Sequence, residues 1–153
     1  MSNLTSILDR TQNEIERPKP IPAGTYTFVI KGLPERGKSK QKGTPFIEYT
    51  LQAISASDDV DADELKDWMK RKDGTSRALS DYTTKATFYT TEEALYRLTD
   101  FFKHCGIDED DERTLSELAE TVVGSQVMGY IAHEPSKDGS TIYARLNRTA
   151  AIE

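Results

Sequence analysis

A mainly β domain with a helical insertion is predicted by three observations in this 153-residue sequence. Short runs of alternating apolar and polar residues recur between Gly, Pro and Asp-Gly breaks, which is the pattern of half-buried strands. Between the third and fourth runs the period lengthens to that of a helix, with Leu95, Leu98, Phe101, Phe102 and Cys105 on one stripe. The composition, 36% hydrophobic and 30% charged, suits one globular domain with an ordinary core.

Residues 1–21 read as a polar N-terminal arm. Leu4, Ile7 and Leu8 give it a brief helical period, and Arg17-Pro-Lys-Pro-Ile-Pro22 then enforces extended backbone. The domain is expected over residues 22–149, with 150–153 as a tail. Tyr26, Phe28 and Ile30 alternate with polar neighbours in a first strand from Thr25 to Lys31. Pro34 to Gly43 reads as a long basic loop, with Arg36 to Lys42 exposed and mobile for want of apolar anchors. The second strand, Phe46 to Ile54, has Ile47, Tyr49, Leu51 and Ala53 on its more apolar face.

The acidic stretch Asp58 to Glu64 runs into a short helix, Asp63 to Lys70, carrying Leu65, Trp68 and Met69, and Asp73-Gly74 closes it. Leu79 to Tyr89 is the third strand, with Tyr82, Ala86 and Phe88 on one face. Thr90-Thr-Glu-Glu93 matches a capping box for the helix that follows, and Gly106 is a suitable stop. A second short helix spans Thr114 to Val123, ahead of Gly124. Gln126 to His133 and Thr141 to Asn147 form the last two strands around an Asp138-Gly139 turn. Three strands, helices, then two strands is the element order of an OB-fold, so a five-stranded OB-like barrel is expected, with helices between the third and fourth strands.

Chemistry is not expected. His104 and His133 fall in different elements, and Cys105 lies on the apolar stripe of its helix, so no metal-ligand spacing arises. The acidic run from Asp58 lacks the glycine and terminal glutamate of a calcium loop. Gly37-Lys38-Ser39 lacks the upstream cradle and the following helix of a phosphate-binding loop. Neither catalysis nor a cofactor is predicted. No run approaches eighteen apolar residues, so no membrane association is expected. The opening residues lack the pattern of a secretion signal, and the lone cysteine fits a reducing compartment, so the cytoplasm is the expected location.

A net charge of −6 speaks against nucleic acid, but its distribution speaks for it. Acid is concentrated at Asp58 to Glu64 and at Asp108 to Glu112, while base is concentrated elsewhere. Single-stranded DNA needs cations along its phosphates and flat rings under its bases. In an OB-fold the usual place is the face of the second and third strands with the loops at its ends. Here the first loop offers Arg36, Lys38, Lys40 and Lys42, beside Lys31, Phe46 and Tyr49. The third strand adds Tyr82, Lys85 and Tyr89, and the last hairpin adds Lys137, Tyr143, Arg145 and Arg148. Phe46, Tyr89 and Tyr143 are the favoured stacking rings, because alternation leaves them outside the core.

Pro22-Ala-Gly-Thr-Tyr26, the basic loop and Lys42-Gly-Thr-Pro-Phe-Ile-Glu-Tyr-Thr-Leu51 together resemble a family of small bacteriophage early proteins. The later helix ending in Cys-Gly, the Leu-rich helix, Val-Gly and the Asp-Gly hairpin match in style, so the resemblance spans residues 22–148. It implies a protein of phage replication or recombination, similar to phage single-stranded DNA-binding proteins. Such a protein would act in the bacterial host cytoplasm, contact replication or recombination proteins, and form homo-oligomers in some cases. The final Arg148-Thr-Ala-Ala-Ile-Glu153 departs from the acidic, aromatic-ended tail of many such binders, so recruitment through a tail is not expected. The alternative is a protein-binding or virion structural module, in which the barrel and the acidic faces are docking surfaces.

Overall fold

The computed structural model describes residues 19–70, 74–139 and 141–152, so the helical period at Leu4 to Leu8 lies outside the described residues. Six strands form one antiparallel sheet: β1 (Gly24–Ile30), β2 (Glu35–Lys38), β3 (Pro45–Ala56), β4 (Thr83–Tyr89), β5 (Gln126–Pro135) and β6 (Ile142–Ala150). Helix α1 (Ala62–Met69) lies between β3 and β4. Helices α2 (Leu95–His104) and α3 (Leu115–Thr121) lie between β4 and β5. The mainly β class and the position of the two later helices are therefore as expected.

The long strand β3 organises the sheet. It pairs along one edge with β1 and with β2, and along the other with β4; β1 then pairs β5, and β5 pairs β6. Every pair is antiparallel, so the end strands β4 and β6 run in the same direction. They face each other across a cleft without forming a ladder. The sheet is open and is not the closed barrel that the element order predicts. Two physical reasons oppose closure. A parallel pair is slightly less stable per residue than an antiparallel one. The facing edges also carry Lys85, Arg145 and Arg148, whose like charges repel.

Alternation fixes which face is buried. Tyr26, Phe28 and Ile30 of β1, Ile47, Tyr49, Leu51 and Ala53 of β3, and Val127 and Ile131 of β5 all point inward and are buried. Against them α2 lays Leu98, Phe101 and Phe102, and α3 lays Leu118 and Ala119. The stripe expected of α2 is thus buried, with Leu95 partly so. Phe101 links helix to sheet, its ring centroid 4.8 Å from Phe88 and 5.3 Å from Tyr49. Gly129 allows β5 and β6 to close on β1, since a Cβ there would stand 2.8 Å from both Phe28 and Leu146. The core also reaches back to Ile21, which is 1% exposed although the sequence assigns it to the arm.

Three local expectations are corrected. The basic segment is exposed, but it is not all loop: Glu35–Lys38 is an edge strand on Pro45–Glu48, because its backbone finds partners that its side chains do not require. Leu79–Asp81 is a single 3₁₀ turn, closed by the Asp81 carboxylate accepting from the Ala78 N–H at 2.9 Å, and the strand starts only at Thr83. The Thr90–Glu93 capping box does not form. Leu95 N–H bonds to the Thr91 carbonyl in a turn, and the helix begins after Ala94 without a side-chain cap. The box forms instead at α3, where Thr114 Oγ1 accepts from the Glu117 N–H at 3.2 Å. Helix α2 does end as expected, with Gly106 at φ 98° and the Ile107 N–H on the Phe102 carbonyl.

The acidic runs have structural work. Asp59 accepts from the Thr25 N–H at 2.9 Å and its hydroxyl at 2.7 Å, and these bonds hold its carboxyl below the usual range. Such a tie is present at neutral pH and is lost as the pH falls through the lowered value. Asp61 caps α1 by accepting from Asp63 and Glu64. Asp111 grips Arg113 at 2.7 Å, which brings its carboxyl down to about 2. Among the described residues, no helix is long and apolar enough to cross a membrane.

Candidate nucleic-acid interface

Because β4 and β6 do not pair, their edges bound a cleft of about 780 Å³. Side chains alternate across each strand, so the cleft has two kinds of lining. Ala86 and Phe88 from β4, with Ala144 and Leu146 from β6, supply apolar groups toward the core. Lys85 from β4, Arg145 and Arg148 from β6, and Arg97 from α2 supply the charge. No carboxylate lines the cleft among the described residues. Thr83, Thr84, Thr87, Asn147 and Thr149 add short polar groups. Helix α2 is tied to β6 by a 2.8 Å hydrogen bond between His104 Nδ1 and Thr149 Oγ1.

The cations are held but not locked. Lys85 Nζ donates to Thr50 Oγ1 at 2.7 Å on the outer face of β3. Arg145 pairs with Glu134 at 3.1 Å, both side chains being largely solvated. An exposed pair of this kind contributes at most about 1 kcal/mol, so a phosphate competes readily for the guanidinium. Arg148 stacks over Tyr130, 5.1 Å from the ring centroid. The unpaired edges of β4 and β6 add main-chain donors and acceptors to the same space.

Of the residues singled out in the sequence, Lys85, Arg145 and Arg148 meet in this cleft, and Tyr82 reaches its end. Tyr82 is half-buried edge-on to Trp68, and burial raises its phenol. Lys40, Lys42 and Tyr89 meet in a neighbouring groove at the β2–β3 turn. The others lie elsewhere. Arg36 registers with Ile47, on the face opposite Phe46, and borders a small groove with Leu95, Leu98 and Leu115. Lys38 shares that side, opposite Pro45. Phe46 is half-buried with its ring over Gly37. Lys31 is exposed beyond β1, its N–H on the Thr50 carbonyl. Lys137 sits at the tip of the last hairpin, and Tyr143, 53% exposed, pairs with Glu134 outside the cleft.

Tyr49 is not a binding ring. It is fully buried, its hydroxyl donates to the Ala119 carbonyl at 2.8 Å, and burial raises its phenol far above the usual value. Its place on the apolar face of β3 already implies this. Tyr49→Phe should therefore leave any ligand binding unchanged. It should lower stability by about 1 kcal/mol, since the Ala119 carbonyl loses its partner. A thermal melt shifted down by about 2–4 °C, with an unaltered binding curve, is the expected result.

Arg97 is the cleft residue that strand-based reasoning misses. It lies on α2, where the helical period marks it only as solvent-facing. Nothing local in the sequence brings it to β6, 45 or more positions later; the packing of α2 between the two sheet edges does.

No family model matches this chain, and a comparison with curated proteins found no match.

Proposed function

We propose that the protein binds single-stranded DNA without sequence preference, as an OB-like domain with an open seam. The observation that carries the reading is the cleft between β4 and β6, where four cations and no carboxylate among the described residues surround an apolar floor. A single strand presents one charge per nucleotide and a flat apolar face per base, and this lining matches both. A duplex hides its base faces in its own stack, so it can use the cations but not the apolar floor. The resemblance at Pro22–Tyr26 and Lys42–Leu51 supports a role in phage DNA replication or recombination. Function rests on binding alone, with no reaction proposed.

Fluorescence anisotropy with labelled oligo-dT, and with a duplex of equal length, tests the reading. Tight binding of the single strand and at least tenfold weaker binding of the duplex are expected at low salt. The absence of any binding to oligo-dT would favour the protein-docking alternative, for which the free edges of β4 and β6 and the exposed Ile142 and Tyr143 offer a surface.

A further inference from the structure

A second groove, of about 760 Å³, lies between the β2–β3 turn and the start of α2. It is lined by Lys40 and Lys42 from the turn, Tyr89 from the end of β4, and Tyr96 and Arg97 from α2. Arg97 also lines the cleft between β4 and β6, so the two depressions share one guanidinium and adjoin along β4. Both tyrosines keep much of their surface in water, Tyr89 at 45% and Tyr96 at 57% exposed. Exposed rings beside cations offer what a single strand uses, flat faces for its bases and charge for its phosphates.

We infer that the bound strand continues past Arg97 into this groove, where Tyr89 and Tyr96 stack its bases and Lys40 and Lys42 meet its phosphates. The inference rests on the reading of the cleft and extends it. Arg97 is the joint: in the free protein its Nε donates to the Tyr96 hydroxyl at 3.2 Å and its guanidinium lies 5.8 Å from that ring. Between the two depressions a phosphate takes the guanidinium, which leaves the ring of Tyr96 open to a base. Among the described residues one carboxylate, Glu93, lines the groove, against three cations there: Lys40, Lys42 and Arg97. The path therefore begins in the cleft and ends at the β2–β3 turn.

Oligomer length separates the two sites. Oligo-dT of about 8 nucleotides fills one depression and about 16 fills both, within the range that small barrels cover. The wild type should bind the longer oligomer at least tenfold more tightly than the shorter. Tyr96→Ala, and separately Lys40→Ala with Lys42→Ala, should bind the short oligomer like the wild type and lose about tenfold on the long one. All three residues are exposed, so unchanged thermal melts are expected and exclude unfolding as the cause. A wild type that gains nothing from length, or variants that lose nothing on the long oligomer, would overturn the groove and leave the cleft standing. Equal losses on both lengths would also overturn it, because the groove would then not be an extension. Failure of the wild type to bind either length would remove the cleft reading itself.

Discussion

Replacing Lys85, Arg97, Arg145 and Arg148 together by alanine should weaken oligo-dT binding by on the order of a hundred- to a thousandfold at 0.1 M salt. Each phosphate contact to a single strand releases counterions with a slope of roughly 0.7 in log K against log salt, so each contributes about 0.7 decades at that concentration. Four lost contacts give nearly three decades, and the salt dependence should flatten by about the same number of slope units. The fold should survive. The Arg145–Glu134 pair is solvated, and Arg148 on Tyr130 contributes on the order of 0.5–1 kcal/mol. Retained affinity with an unaltered melt would show that the strand does not enter the cleft.

Phe101→Ala should cost about 3–5 kcal/mol of stability, because the ring is 1% exposed and touches Tyr49, Phe88 and Phe102 at once. The loss has a second consequence. Phe101 packs beneath Phe88, which lines the cleft between β4 and β6, so truncation removes support for the cleft floor as well as for the core. Chemical denaturation should show the full loss, and the protein that remains folded should also bind oligo-dT more weakly than the wild type. Wild-type stability in this variant would mean that α2 does not pack as described.

The elements of this fold were legible where side chains decide them. Tyr26, Phe28 and Ile30 alternate because one face of β1 is core, and the same rule separates Ile47, Tyr49 and Leu51 from Phe46, Glu48 and Thr50. Leu98, Phe101 and Phe102 declare α2 in the same way. What was not legible is set by the main chain and by distance. β2 has no apolar signature, since Glu35–Lys38 is held by backbone bonds to Pro45–Glu48. Thr114 and Thr90 both begin sequences that fit a capping box, and only the packing around them selects Thr114. The openness of the sheet depends on strands 59 or so positions apart meeting without pairing, which no local pattern records.

The candidate site follows the same division. Lys85, Arg145 and Arg148 were visible as cations on strands, and they converge. Arg36 and Phe46 register on opposite faces of the β2–β3 ladder, and both border the small groove beside Leu95 and Leu115 rather than the cleft. Tyr49 stands near the basic loop in sequence, but its own alternation places it in the core. Tyr96 and Arg97 carry no signal in the sequence, because an exposed helical face is ordinarily solvated, and only the fold sets them beside the β2–β3 turn.

The most direct test of the central claim is the affinity of the wild-type protein for oligo-dT of about 16 nucleotides, measured from low to moderate salt. Binding through the cleft cations predicts a straight line of log K against log salt, with a slope of at least about −2.8 from four contacts, and steeper where the turn lysines add theirs. A flat line, or no measurable binding at the lowest salt, would contradict it.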